Sequence, residues 1–591
     1  MKATFDRVFE EWFHRIGKRS RAILFLSIAW LALVAGVAFF WRSGGIGLID
    51  ETEPLFAEAS RQMFVTGDWI TPYFNGVTRF DKPALTYWSQ AIAFHLLGVN
   101  EWAVRLPSAI AATLVIALTF YTVHWSLTEE DRLDNVSRPA RNWLVAAIAS
   151  ATIALSPMVI VWARTGVSDM LLTGAIAPSL LCFFLAYARP EKSPAKVRFY
   201  IAAYIFIALA ILAKGPVGIV LPGLVILAFL LYVGEFQPVL REARPILGAF
   251  IIAGLSLPWY VLVIWRNGWN YINSFFGYHN VERFTEVVNG HAAPWFFYFL
   301  VVFLGFAPYS GYLPAAIARL KFWKRRDWRS LSRSRQFGLF AFFWFTVVFV
   351  FFSIAVTKLP SYVLPLMPAS GILVALSWGE IFSGGKNSRS FRVSAWINLS
   401  FLTIVSIALF YVPNLLGEDT AAPDFPRLLQ QSGLPTLGGI IWLFAAVAIA
   451  FFLARRDWLP VIGINLLAFM AFLLFVLTPT LFLMDSQRQL PLRQMAGSIV
   501  ENQKPGEEIV MVGFKKPTVV FYSHRPVTYI KLNKEAAEYI QKQRQQRSPA
   551  GSLLILTQPF RLTRMGLQPP EYRSLVRRGA YELIRLPLGK S

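Results

Sequence analysis

Apolar runs long enough to cross a hydrocarbon core recur along most of the chain, separated by short polar stretches. A span of about 30 Å needs about 17 to 25 residues, and roughly thirteen runs meet that length. They start near residues 22, 106, 143, 169, 198, 216, 245, 295, 337, 361, 393, 437 and 458. From Met484 the pattern changes. Short apolar runs at 509–513, 518–522, 527–532, 553–556 and 581–586 alternate with polar helical stretches such as 534–545. The pattern predicts a mainly α, polytopic membrane domain over residues 1–483, followed by a small α/β domain over 484–591. No internal repeat stands out, so the inverted-repeat signature of many transporters is not evident.

The basic residues orient the bundle. With the N-terminus inside, the loops at 132–141, 189–198, 241–244, 319–335, 386–392 and 455–456 face the cytoplasm. Together with the N-terminus they hold about 28 Lys and Arg, against about 11 on the other side. The cationic face of RLKFWKRRDWRSLSRSR is expected to rest on anionic lipid head groups. An odd number of spans then places the C-terminal domain on the periplasmic side of an inner (plasma) membrane. Three long external segments, 42–105, 266–294 and 413–435, lie on that side, and function is expected there. Lys2, Arg7, Arg15, Lys18, Arg19 and Arg21 precede the first apolar run as in a signal peptide, but no small-residue cleavage site follows. The segment therefore reads as a retained anchor.

Composition narrows the class. At 591 residues, 55% hydrophobic and only 15% charged is outside the range of ordinary soluble domains. A net charge of +23 would suit nucleic acid, but the basic residues lie mostly in loops between apolar runs, which is topology rather than a polyanion-binding face. No nucleic-acid partner is expected. The single cysteine, Cys182, sits in an apolar run, which excludes intrachain disulfides and a cysteine metal cluster.

Candidate chemistry concentrates on the external side. The segment 42–105 is too polar to span yet rich in Trp, Tyr and Phe, which favour an interfacial position. Asp50 and Glu51 follow the first span directly, at the depth where a lipid-linked substrate presents its head group. Residues 53–64 carry Leu55, Phe56, Ala59 and Met63 at helical spacing, so the acidic pair could equally cap a surface helix. The short external turns add FDKP with Lys82, WARTGVSD with Arg164 and Asp169, LAKGPVG with Lys214, and VTKLPSY with Lys358 and Tyr362. Charges placed hard against apolar runs cost about 2.5 to 3.5 kcal/mol each on insertion scales, so they usually face a bundle interior or a polar cavity. Any one could be a snorkelling anchor. Together they supply cations for a phosphate and carboxylates for a base. His279 and His291, near Glu282 and Glu286, could bind substrate or a divalent metal, although their spacing fits no specific metal motif.

These elements resemble the membrane-integral glycosyltransferases of the C-type superfamily, specifically the aminoarabinose transferase and protein O-mannosyltransferase-like group. The resemblance rests on DE at Asp50-Glu51 with AEASRQM, GDWITPYFNG with FDKP, WARTGVSD, LAKGPVG, HN-x-x-RF from His279 to Phe284, and TKLPSYVLPLMPA. It implies a polyprenyl-phosphate sugar donor, a lipid A-like glycolipid, protein or other envelope acceptor, and inversion at the anomeric carbon. It implies Asp50 as the principal catalytic carboxylate, with Glu51 beside it and Asp169 as a second acid. Lys82, Lys214, Arg283 and Tyr362 match positions around the donor phosphate, and Lys358 and His279 fit the same pocket. One departure is DETE in place of DETR. The carboxylate of Glu53 in place of a cation argues against an anionic acceptor.

The chemistry agrees with that implication. A departing polyprenyl phosphate needs its charge neutralised, and a carboxylate opposite it can take the acceptor's proton. A transporter or lipid flippase would place its charges at mid-span near broken helices, whereas here they cluster at span ends. A non-catalytic scaffold would tolerate loss of the Asp50 charge.

Overall fold

The structure, a computed structural model, describes residues 20–282, 293–382, 389–417, 419–546 and 551–589. Among these, ten helices are long and apolar enough to cross a membrane, or twelve if each of two bent pairs is one span. The apolar helix Val217–Val233 is shorter than these; counted as a crossing, it brings the series to the expected thirteen. The predicted starts correspond in turn to the crossings Arg21–Phe40, Glu101–Leu133, Pro139–Ala163, Ser168–Ala188, Pro194–Lys214, Val217–Val233, Pro245–Asn267, Phe297–Arg319, Arg333–Ile354, Pro360–Phe382, Arg389–Leu415, Leu434–Ala454 and Pro460–Asn502. The third crossing bends by 65° where Ser156 is extended ahead of Pro157, and the eighth by 112° ahead of Tyr309. Proline explains both breaks, because Pro157 and Pro308 cannot donate the hydrogen bond a continuous helix needs.

Consecutive crossings connect at alternating ends. The segment between the first two crossings therefore shares one end of the bundle with the turns at 164–167, 215–216 and 355–359. That segment holds the helices Thr52–Thr66 and Leu85–Leu97 and a short hairpin of β1 (Tyr73–Phe74) and β2 (Val77–Thr78).

The last crossing does not stop at the bundle. It continues as one helix to Asn502 and enters the C-terminal domain, through residue 484 without a break. There β3 (Glu508–Val512), β4 (Thr528–Ile530), β5 (Ser552–Thr557), β6 (Arg573–Arg578) and β7 (Tyr581–Pro587) form a sheet in the order β4-β3-β5-β7-β6. β3 runs parallel to β4 and β5, and β7 antiparallel to β5 and β6. The central strands EIVMV and SLLILT are apolar on both faces because both faces are covered. With a period of two, Ile509, Met511, Leu554 and Leu556 pack on Leu492, Met495 and Ile499 of the long helix. Val510, Val512, Leu553 and Ile555 pack on Ala536, Ile540 and Leu562. Phe74 of the first loop is buried in the former layer, so loop and domain share a core.

Candidate functional site

The structure gathers Lys82, Asp169, Lys214 and Tyr362 at the loop-bearing end. Asp169 opens the fourth crossing, Lys214 closes the fifth, and Ser361 and Tyr362 open the tenth. The turn after Lys214 depends on Gly215, whose φ of 81° lies in the left-handed region that a side chain disfavours. Lys214 Nζ stands 2.6 Å from Asp169 Oδ1 and 5.2 Å from the centre of the Tyr362 ring, so carboxylate and π-face both hold the ammonium. Ser361 hydrogen-bonds to Asp169, and Lys82 acts on the same carboxylate electrostatically. The buried Lys82 ammonium also donates to Asp81 Oδ1 at 2.7 Å, and Arg79 donates to Asp81 Oδ2 at 2.8 Å. Ser361 and Asp81 stand inside motifs read from the sequence, TKLPSY and FDKP, but were not singled out there.

Asp50 stands in a second polar cluster, formed with the C-terminal domain. Its Oδ1 accepts the Thr518 N–H at 3.2 Å. Its Oδ2 lies 3.3 Å from the amide nitrogen of Gln489 when that amide is turned to face the acceptors around it. Burial pushes the Asp50 carboxyl up to about 6. The Thr518 N–H, its nearby hydroxyl and the Lys516 charge oppose that rise, and Glu51 reinforces it. Glu51 is exposed and precedes the helix Thr52–Thr66 without capping it through its side chain.

Glu53 stands elsewhere than the sequence suggests. It is 1% exposed and paired in two-pronged fashion with Arg105, also 1% exposed: Nε to Oε1 and Nη2 to Oε2, both 2.8 Å. Its oxygens also accept the Ile49 and Gly166 N–H groups, each at 2.8 Å. Arg105 donates in turn to the carbonyls of Ser43, Ile46 and Gly47. Arg105 thus holds the loop that carries Asp50, and the Gly166 N–H ties Glu53 to the turn at 164–167. Gly166 is required for the approach, since a Cβ there would come within 2.3 Å of Val104 Cγ1 and 2.7 Å of its carbonyl oxygen. The Glu53 charge is therefore neutralised inside the fold, and it does not argue against an anionic acceptor.

Two expected phosphate ligands have their charged ends on carbonyls. Arg164 donates to Ala38 O and Val37 O, both at 2.7 Å, and so ties the end of the first crossing. Lys358 donates to Ala355 O at 2.6 Å and Ser353 O at 3.3 Å, and so caps the end of the ninth. Arg283 and His291 lie outside the described residues, as does the side chain of His279. Among the described residues, no group of three or more His, Cys, Asp or Glu is arranged to hold a metal ion.

Comparison with known proteins agrees with the fold. Residues 81–262 match the family described as dolichyl-phosphate-mannose-protein mannosyltransferase. Residues 502–590 match the C-terminal domain of cyanobacterial RgtA-type glycosyltransferases. The chain is 29% identical over 369 residues to undecaprenyl phosphate-alpha-4-amino-4-deoxy-L-arabinose arabinosyl transferase 2 of Proteus mirabilis, covering 62% of each protein. It is 30% identical over 373 residues to the corresponding transferase of Yersinia enterocolitica, covering 61% of this chain and 60% of that one. The match thus spans about three fifths of these relatives' length. The crystal structure of ArnT from Cupriavidus metallidurans bound to undecaprenyl phosphate shares the fold, with a TM-score of 0.75, 23% identity and coverage of 96% of this chain and 99% of that one.

Proposed function

We propose that this chain, similar to the aminoarabinose transferases of the C-type membrane glycosyltransferase superfamily, moves a sugar from a polyprenyl-phosphate donor to an envelope acceptor at the loop-bearing end of its bundle. The observation that carries the reading is the pairing of Lys214 with Asp169 over the Tyr362 ring, with Lys82 alongside, at one end of an otherwise apolar bundle. Lipid chains and a charged head group need these two environments in register. The names of the relatives point to undecaprenyl phosphate as the carrier and an aminoarabinose as the sugar. The basic residues of the short loops support an inner-membrane orientation with the N-terminus cytoplasmic and the C-terminal domain periplasmic.

In this reading the acceptor oxygen attacks the anomeric carbon from the face opposite the phosphate and inverts it. The bond from that carbon to the phosphate oxygen breaks, and its electron pair leaves on the polyprenyl phosphate. Lys82 and Lys214 neutralise the charge that develops there, while Asp169 and Tyr362 keep Lys214 in place. Asp50 accepts the acceptor's proton, and a carboxyl titrating near neutrality is suited to that task. Arg283, His279 and His291 belong to the donor pocket by motif alone, and Glu51 supports the loop.

A second acceptor class, protein hydroxyls, is favoured by the match of residues 81–262 to the mannosyltransferase family. The test is mass spectrometry of purified protein incubated with a panel of undecaprenyl-phosphate sugars and with lipid A-like glycolipids or hydroxyl-bearing peptides. Transfer to one acceptor class identifies it, and transport without transfer or donor hydrolysis would sink the reading.

A further inference from the structure

Resting on the transferase reading, the surroundings of Asp50 support one further step. A carboxylate offers about four lone-pair positions. Thr518 N–H occupies one on Oδ1 and the Gln489 amide one on Oδ2, which leaves the others for an incoming hydroxyl. The Thr518 hydroxyl is buried and has no partner at ordinary hydrogen-bond geometry, yet it lies close enough to favour the charged carboxylate. Lys516 is the cation that acts on Asp50. All of these groups come from residues after 484, while the rest of the proposed chemistry comes from the bundle and its first loop.

The turn that carries them is pinned on both sides. Val519 and Val520 are buried under the sheet, and Phe521 packs with Leu48 and Ala103. The Tyr522 hydroxyl donates to Glu101 at 2.7 Å and accepts the Leu48 N–H at 3.2 Å, two residues before Asp50. Asn75 of the β1–β2 hairpin exchanges two 2.8 Å hydrogen bonds with the backbone of Val527. A shift of the domain would therefore move the Asp50 partners with it.

We propose that residues Lys516–Thr518 of the C-terminal domain form a positioning element for Asp50, aiming its carboxylate and balancing its charge, so that the domain completes the active site. The charged and titratable groups facing Asp50 are Lys516, Glu51 on its own loop, Tyr529 of β4 and Tyr581 of β7; behind them, Glu58 and Lys515 act on Tyr529, and Arg488 and Asp419 act on Tyr581. Lys516 is the cation that acts on Asp50 directly, so its removal should raise the pH at which Asp50 ionises.

The experiment uses the full chain in lipid nanodiscs, a donor turned over by the wild type, and kcat and KM measured across pH for Lys516→Met, Lys516→Arg and Thr518→Val. Lys516→Met should move the acidic limb of kcat upward by about half a unit to one unit. That is about a three- to tenfold loss at pH 5, fading above pH 8, with the KM for donor unchanged. Lys516→Arg should restore the wild-type limb, and Thr518→Val should shift it in the same direction as Lys516→Met by a smaller amount. A limb that stays put in Lys516→Met, or a loss uniform across pH that Lys516→Arg does not relieve, overturns the proposal while leaving the transferase reading intact. Absence of turnover by the wild type with every donor defeats the transferase reading instead.

Discussion

Replacing Glu53 with Gln tests whether that residue belongs to the fold or faces the acceptor. The substitution keeps shape and volume but removes the charge that Arg105 meets through two 2.8 Å contacts, with both side chains 1% exposed. Breaking a pair buried to this degree leaves an uncompensated charge, which costs about 3 to 5 kcal/mol. Gln offers no relief through its hydrogen bonds. Both Glu53 oxygens now accept from Arg105 and from a backbone N–H, so wherever the amide nitrogen points, donor meets donor. At about 1.4 kcal/mol per tenfold, the unfolding equilibrium should move by about two to four orders of magnitude. Reversible unfolding of the detergent-solubilised protein measures it. The double variant Glu53→Leu with Arg105→Met should be less destabilised than the sum of its single variants, because neither charge is orphaned. Wild-type stability of Glu53→Gln, together with tighter binding of an anionic acceptor, would refute the reasoning and return Glu53 to the acceptor surface.

Four further outcomes follow from the geometry of Asp50, Lys214 and Gly166. Activity should rise with pH through the Asp50 value of about 6, falling to about a tenth of its plateau one unit below, and Asp50→Asn should lose roughly 100- to 10,000-fold in kcat while retaining donor binding. Because that pKa is raised above the unfolded value of 3.8, the Asp50 contribution to stability should decline as pH rises from about 4 to about 6 and then level off, which acid-range unfolding curves can check. Lys214→Met should weaken binding of undecaprenyl phosphate by about tenfold or more. Asp169→Asn, which leaves the ammonium in place without its partner, should weaken it less, and titration of both variants with the lipid separates the two. Gly166→Ala should destabilise the protein by about 1 to 3 kcal/mol, since its Cβ collides with Val104, and thermal unfolding reads the loss.

The membrane plan was legible because span length and apolarity are local properties of the sequence. Each predicted start falls within a few residues of a crossing, and both bent crossings carry proline at the break. The convergence of Lys82, Asp169 and Lys214 was legible for a related reason, since a charge hard against an apolar run marks the end of a helix and span ends converge. The same cue cannot separate a cation held by a carboxylate and a ring from one held by carbonyls. Arg164 and Lys358 read like Lys214, but their donors are given to helix ends. The environments of Asp50 and Glu53 were out of reach because their partners are remote. Thr518 lies 468 positions from Asp50 and Arg105 lies 52 from Glu53, and no periodicity links such distances.

The unbroken helix Pro460–Asn502 has a consequence for anyone building chimaeras from this chain. At about 1.5 Å per residue its 43 residues extend about 65 Å, roughly twice the hydrocarbon thickness, and its far end is part of the domain's own core. Helical phase is thus transmitted from bilayer to sheet as along a keyed shaft. One residue inserted between 484 and 490 would rotate everything beyond it by about 100° and lift it about 1.5 Å, carrying Thr518 away from Asp50 although no contact residue had changed. A graft at this junction must conserve residue count before residue identity.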